Sequence, residues 1–129
     1  MATWEDVARL ALALPEAAQG TSYGSASWKV RRATFAWERP LRRSDLEALG
    51  DAAPDGPVLG ARVPDEGAKH ALIADDPSVY FTTPHFDGYP AVLVRLERIA
   101  EQELTELLTE AWLAMAPKRL AQAFLAGDD

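Results

Sequence analysis

Residues 80–96 read YFTTPHFDGYPAVLVRL, and the reading of this stretch decides the fold. Val79 to Thr83 alternates as a strand, and Ala91 to Leu96 reads as a second one. Between them Pro84, Gly88 and Pro90 impose an irregular connection. It exceeds the two-residue hairpin optimum, so side chains must fold back on the loop. Thr82, Thr83, His85 and Asp87 make this the most compact polar cluster of the chain.

Both flanks read as helix. Upstream, Val58 to Val63 is a strand with Leu59, Ala61 and Val63 on one face. Pro64-Asp65-Glu66 then opens a helix that carries Ala68, Ala71 and Leu72 inward and ends near Asp75-Asp76-Pro77. His70 on that helix, beside Lys69, is a surface histidine, since no second metal ligand lies at i+4. Downstream of Ile99, Leu104, Leu107, Leu108, Ala111, Trp112 and Met115 form an apolar stripe at helical spacing. Glu101, Glu103, Glu106 and Glu110 lie away from it. Ala116-Pro117 breaks this helix, and Lys118 to Leu125 restarts it with Pro117 at the first turn, Leu120 and Phe124 docking back on the core.

The N-terminal half supplies the remaining layers. Thr3 caps a first helix with Asp6 three residues on, and Trp4, Val7, Ala8, Ala11 and Leu14 share a face. Pro15 ends that helix. Gly20 to Gly24, GTSYG, reads as a loop, and it lacks the Lys-Ser/Thr ending of a phosphate-binding loop. Ser27 to Arg31 alternates, with Trp28 and Val30 on one side and Lys29 and Arg31 on the other. After a turn at Arg32-Ala33, Phe35 and Trp37 continue the alternation on the core face until Pro40. Ser44 caps a short helix, Asp45 to Leu49, which Gly50 closes, and residues 50–57 are loop. Together these elements make one two-layer α+β domain over residues 1–129. An antiparallel sheet of about five strands packs against N-terminal, middle and C-terminal helices.

Composition narrows the chemistry. The 129 residues contain no cysteine, which removes disulfides, thiolate metal sites and thiol nucleophiles. Glu5 and Asp6 follow Trp4 where a signal peptide would be basic and then apolar, and no apolar run approaches a membrane span. The expectation is a cytoplasmic protein. The net charge is −7, yet Lys29, Arg31, Arg32, Arg39, Arg42 and Arg43 sit against Glu38 alone in one window of net +5. That window is either a solvated surface or a phosphate contact.

His85 and Asp87 could form an oriented base, but no activated nucleophile motif accompanies them. Their bland role is to hold the backbone of an irregular turn. Two distant histidines give no metal ligand set. The expectation is therefore no catalytic residue, no metal and no cofactor. Tyr23, Phe86 and Tyr89 lie in loops and have the better claim to a surface pocket than Trp28, Phe35, Trp37 and Phe81, which read as core. A pocket built from Tyr23, His85, Asp87 and Tyr89, with Lys118 and Arg119 nearby, would suit a small ligand or a protein partner.

Over essentially its whole length the chain resembles the MmcQ/YjbR-like family of small bacterial proteins. The pieces that carry the resemblance are ALALPEAAQGTSYGSASWKV, the TFAW strand, PVLGARVP, PSVYFTTPHFDGYPAVLVRL and LTELLTEAWLAMAPKRLA. Their order and spacing are specific, although none is a catalytic signature. The resemblance implies an α+β domain with an outline like that of frataxin-like proteins. It also implies a non-enzymatic DNA-binding role through two hairpin wings, here Trp28 to Trp37 and Thr82 to Ala91. The first wing is basic, whereas the second carries Asp87 and no basic residue until Arg95. On this reading the partner is DNA, held weakly and in a salt-dependent way by Lys29, Arg31, Arg32, Arg39, Arg42 and Arg43. The alternative is a small-ligand or protein-interaction module built on the His85–Tyr89 loop, and the expected state is a monomer or weak homodimer.

Overall fold

The computed structural model describes residues 2–127. Five helices and six strands follow in the order α1 (Trp4–Leu12), β1 (Ala17–Ser22), β2 (Ser25–Val30), β3 (Ala33–Glu38), α2 (Arg43–Leu49), β4 (Val58–Arg62), α3 (Glu66–Asp75), β5 (Tyr80–Phe81), β6 (Ala91–Arg95), α4 (Glu101–Met115) and α5 (Lys118–Leu125). The strands form one antiparallel sheet in the order β1-β2-β3-β4-β6-β5. The expected α+β class holds, with six strands where about five were expected.

The sixth strand is β1, where sequence composition points to a loop. Ala17 to Ser22 has no β-branched residue but Thr21 and no aromatic, so propensity says little. Pairing with β2 along its whole length overrides it. The connection is the two-residue turn Tyr23-Gly24, with φ of 52° and 81°. Two consecutive positive φ values define a type I′ turn, whose twist matches that of the strands it joins.

A bulge sets which face each aromatic occupies. Trp28 pairs with Ala36 but Lys29 pairs with Thr34, so Phe35 is an extra residue on β3. Phe35 joins the main core, and Trp37 emerges on the opposite face rather than beside it. The main core contains Val7, Trp28, Leu59, Val94 and Trp112 and lies between the sheet and the helices, chiefly α1 and α4. The other face carries a smaller cluster, Val58, Phe81, Phe86 and Leu93, with Trp37, Leu41 and Leu49 packed against it.

Local chemistry explains most helix ends. The Thr3 side chain accepts from the Asp6 amide, and the Asp6 carboxylate accepts from the Thr3 amide, closing the expected capping box. The start of α2 differs from expectation: Arg42, not Ser44, precedes the helix, and the Asp45 carboxylate accepts from the Arg42 amide at 2.8 Å. Asp65 caps α3 by accepting from Ala68. Pro117 sits immediately before α5 rather than inside its first turn. Leu120 and Phe124 do return to the core, with Phe124 5.0 Å from the Trp112 ring. On α3 the inward face differs too: Ala68 and Leu72 pack on the core, Ala71 is exposed, and Lys69 is the buried residue.

Candidate functional site

The connection between β5 and β6 is a compact turn. Phe86 N donates to the Thr83 carbonyl at 2.9 Å, Asp87 N to Pro84 at 3.1 Å and Tyr89 N to Phe86 at 3.0 Å. Two carbonyls of the turn, those of Phe86 and Tyr89, also point inward to a lysine. Lys69 is 1% exposed. Its ammonium donates to the Phe86 carbonyl at 2.6 Å, the Tyr89 carbonyl at 3.1 Å and the Glu66 carboxylate at 3.3 Å. A buried ammonium is tolerated only with such a full set of acceptors. Lys69 thus pins the 84–89 turn to α3. Its spacing to Leu72 and Ile73 on one helical face is the sequence signal that it points inward.

The pinned turn presents its rings to the open side of the sheet. Phe86 lies 6.5 Å from the Trp37 ring and 6.2 Å from Tyr89, and His85 meets it edge-on at 4.9 Å. Arg62 stacks on Tyr89 at 4.7 Å and donates to its hydroxyl, and Arg39 stacks on Phe86 at 5.2 Å. Trp37 lies across Gly60: a Cβ there would fall 2.4 Å from Trp37 Cε2. Only a glycine at this place on β4 lets the indole lie flat on the sheet.

A cleft of about 420 Å3 opens between this aromatic group and the β1–β2 turn. Its walls include Tyr23, Trp37, Glu38, Arg42, His85 and Tyr89. Glu38 is anchored by accepting from the Ala26 amide at 2.7 Å. Tyr23 stands at the tip of the turn and is 100% exposed, and Tyr89 is 43% exposed. No hydrogen bond joins His85 to Asp87 among the described residues, and both side chains are exposed.

Tyr23, His85 and Tyr89, chosen from sequence, therefore meet in one cleft. Asp87 lines the adjoining hollow with Gly88. Lys118 and Arg119 open α5, are exposed, and are not part of the cleft wall. Trp37, assigned to the core by its pattern, is the residue missed, because the bulge that turns it outward leaves no mark in the alternation. A second and larger hollow, about 850 Å3, lies between α3 and α4 with an aliphatic floor and Asp75, Glu103, Glu106 and Glu110 among its lining residues.

The basic residues do not form one patch. Arg31 and Arg32 lie at the β2–β3 turn, and Arg39, Arg42 and Arg43 follow the other end of β3. The six-residue strand puts roughly 20 Å between them. Arg31 forms a forked pair with Glu16 at 2.8 and 3.2 Å, which holds the carboxyl below its usual range and the guanidinium above its own. Arg43 reaches Glu47 at 3.5 Å. Arg39 is 7% exposed and donates to Asp45 at 3.0 Å, so it is structural. Lys29, Arg32 and Arg42 form no ion pair among the described residues. Those residues hold no cluster of three metal-ligating side chains. None of their helices is long and apolar enough to cross a membrane.

Fold and site define a small α+β domain with an aromatic cleft on the less covered face of its sheet. The family model described as YjbR matches residues 12–114, and the chain belongs to that family. It is 60% identical, over 98% of both chains, to uncharacterized protein Rv2570 of Mycobacterium tuberculosis (strain ATCC 25618 / H37Rv) and to uncharacterized protein Mb2600 of Mycobacterium bovis. Among solved structures, the crystal structure of Deinococcus radiodurans protein DR2400, with a domain described as DUF419, is similar in fold. The TM-score is 0.69 at 20% identity, covering 100% of this chain and 92% of that one.

Proposed function

We propose that the protein is a binding protein that takes a small molecule with a flat unsaturated ring into the cleft between Tyr23, Trp37, His85 and Tyr89. The observation that carries this reading is the convergence of those rings around about 420 Å3 of open space. Pockets of a few hundred Å3, mostly apolar with a few convergent polar groups, are the usual form of small-molecule sites. Trp37 and Tyr89 are held by Gly60, Arg62 and the Lys69-pinned turn, so little is lost in ordering them on binding. His85 and Arg42 supply polar contacts at the mouth.

Duplex DNA has weaker support. Of the six basic residues, Arg39 is buried and Arg31 and Arg43 face carboxylates, which leaves Lys29, Arg32 and Arg42 on two ends of a strand in a chain of net −7. Amide and indole N–H spectra recorded while a panel of aromatic heterocycles is added test the two readings together. The expected result is movement of the Trp37 indole and the Tyr23 and His85–Tyr89 amides for at least one compound, abolished in Trp37→Leu. No movement there, with salt-dependent anisotropy changes on labelled duplex DNA, would overturn the small-molecule reading in favour of DNA.

A further inference from the structure

The two edges of the sheet are unlike. At one edge β5 is Tyr80–Phe81 alone, with Pro77 and Pro84 close on either side. Shortness and proline are standard protections against strand addition. At the other edge β1 has six residues, Ala17 to Ser22, and none of them is charged or a proline. Side chains of Ala18, Gln19, Thr21 and Ser22 are exposed. In a type I′ hairpin Ser22 and Ser25 form the hydrogen-bonded pair, so Gly20 and Ala18 also bond inward. The N–H and C=O groups of Gln19 and Thr21, and the Ala17 carbonyl, then face outward. The Ala17 amide is already used, donating to the Leu14 carbonyl at 3.2 Å.

This edge is complementary to itself, and we infer that β1 pairs antiparallel with β1 of a second copy of this chain across a two-fold axis at Gln19. In that register the two Gln19 residues exchange a pair of hydrogen bonds, and each Thr21 N–H reaches the Ala17 carbonyl opposite. Gly20 falls opposite Ala18, so nothing bulky obstructs the approach. The two sheets become one continuous sheet. An isologous contact of this kind closes at two subunits.

The same register explains an otherwise costly tyrosine. Tyr23 is fully exposed and sits at φ 52°, a conformation that bulky residues rarely adopt. The Ser22 end of β1 lies by the Ala17 end of the second copy's β1, which brings Tyr23 near that copy's Glu16–Arg31 ion pair. The second copy thereby supplies a charged wall to the cleft mouth.

Sedimentation velocity over a micromolar-to-millimolar series tests the pairing. The wild-type chain is expected to pass from monomer to dimer. Gln19→Lys and Gln19→Glu each put like charges directly opposite at the axis, and each should weaken dimerisation at least tenfold. An equimolar mixture of the two should restore it. Gln19→Glu keeps the acceptor that the Trp28 indole uses at 3.2 Å, which makes it the variant that preserves the fold, checked by its near-UV spectrum. A wild type that stays monomeric throughout, a dimer indifferent to both changes, or a mixture that fails to dimerise would each overturn the inference.

Discussion

A single ammonium carries much of the order in the candidate site. Lys69 is the second donor to the Phe86 and Tyr89 carbonyls, which also accept from the Tyr89 and Ala91 amides, and it is a donor to Glu66 as well. Replacing it by Met keeps the length of the side chain and deletes the donors. The carbonyls keep their backbone donors, but the charge-assisted bonds are lost; hydrogen bonds to charged groups contribute about 1.5–3 kcal/mol each, so Lys69→Met should lower stability by about 2–4 kcal/mol. Urea unfolding measures this. Amide exchange should also quicken at Asp87 to Tyr89 well before global unfolding, and a variant as stable and as protected as the parent would refute the role. Gly60 acts from the other side of the cleft. Gly60→Ala would push a methyl into the Trp37 indole. Because Trp37 is only half-buried it can tilt away, so the expected stability loss is about 1–3 kcal/mol, with a red-shifted Trp37 emission and a misshapen cleft. Unchanged emission would mean that the indole does not rest on β4. Neither residue is marked as a site residue by its type: a lysine ordinarily reads as solvent-facing, and only the spacing of Lys69 to Leu72 and Ile73 turns it inward, while a glycine in a strand reads only as a weak position.

Elements are joined here by polar contacts as much as by apolar packing. Asp45 at the start of α2 accepts from both the Arg39 guanidinium and the Arg42 amide, which ties the exit of β3 to the next helix. Both partners of the ion pair are buried. Removing one leaves the other charge unpaired, so Asp45→Ala should cost about 3–5 kcal/mol, while a double change of Asp45 and Arg39 to apolar residues should cost less. A double-mutant cycle by thermal unfolding reads the difference, and additive losses would show that the pair is not coupled. What the sequence discloses at this scale follows the strength of the periodic signal. The α4 stripe is legible because Leu104, Leu107, Leu108, Ala111 and Trp112 repeat at helical spacing and are buried as that spacing demands. β1 is not legible, because AAQGTS becomes a strand only through its pairing with β2. The outward turn of Trp37 is not legible either, since a bulge inserts one residue without changing the residue types around it. Thus the hairpin at residues 80–96 announces the antiparallel sheet, while the cleft beside it depends on a register slip that only the pairing reveals.

For the molecule as a whole, ionisable groups set a window of stability. Asp6 is held below the usual carboxylate range, first by the Thr3 amide and then by Arg9, and Glu16 is lowered by Arg31. Groups with depressed folded values contribute above their ordinary pKa, near 4, and that contribution is lost as the pH falls through the lowered values. Tyr80 sets the other limit. It joins β5 to α4 by donating to Glu103, and burial, followed by that carboxylate, pushes its phenol well above the ordinary range. A raised folded value acts in the opposite sense. The contribution of Tyr80 is complete below the ordinary tyrosine pKa of about 10 and is lost as the pH climbs toward the raised value. The melting temperature should therefore be flat from about pH 5 to about pH 9 and fall on both sides. Tyr80→Phe removes the titrating phenol together with its bond to Glu103. The variant should melt lower at pH 8, and its melting temperature should fall less steeply than that of the parent above pH 10. Parallel alkaline limbs in the two proteins would show that the Tyr80–Glu103 contact does not limit stability there.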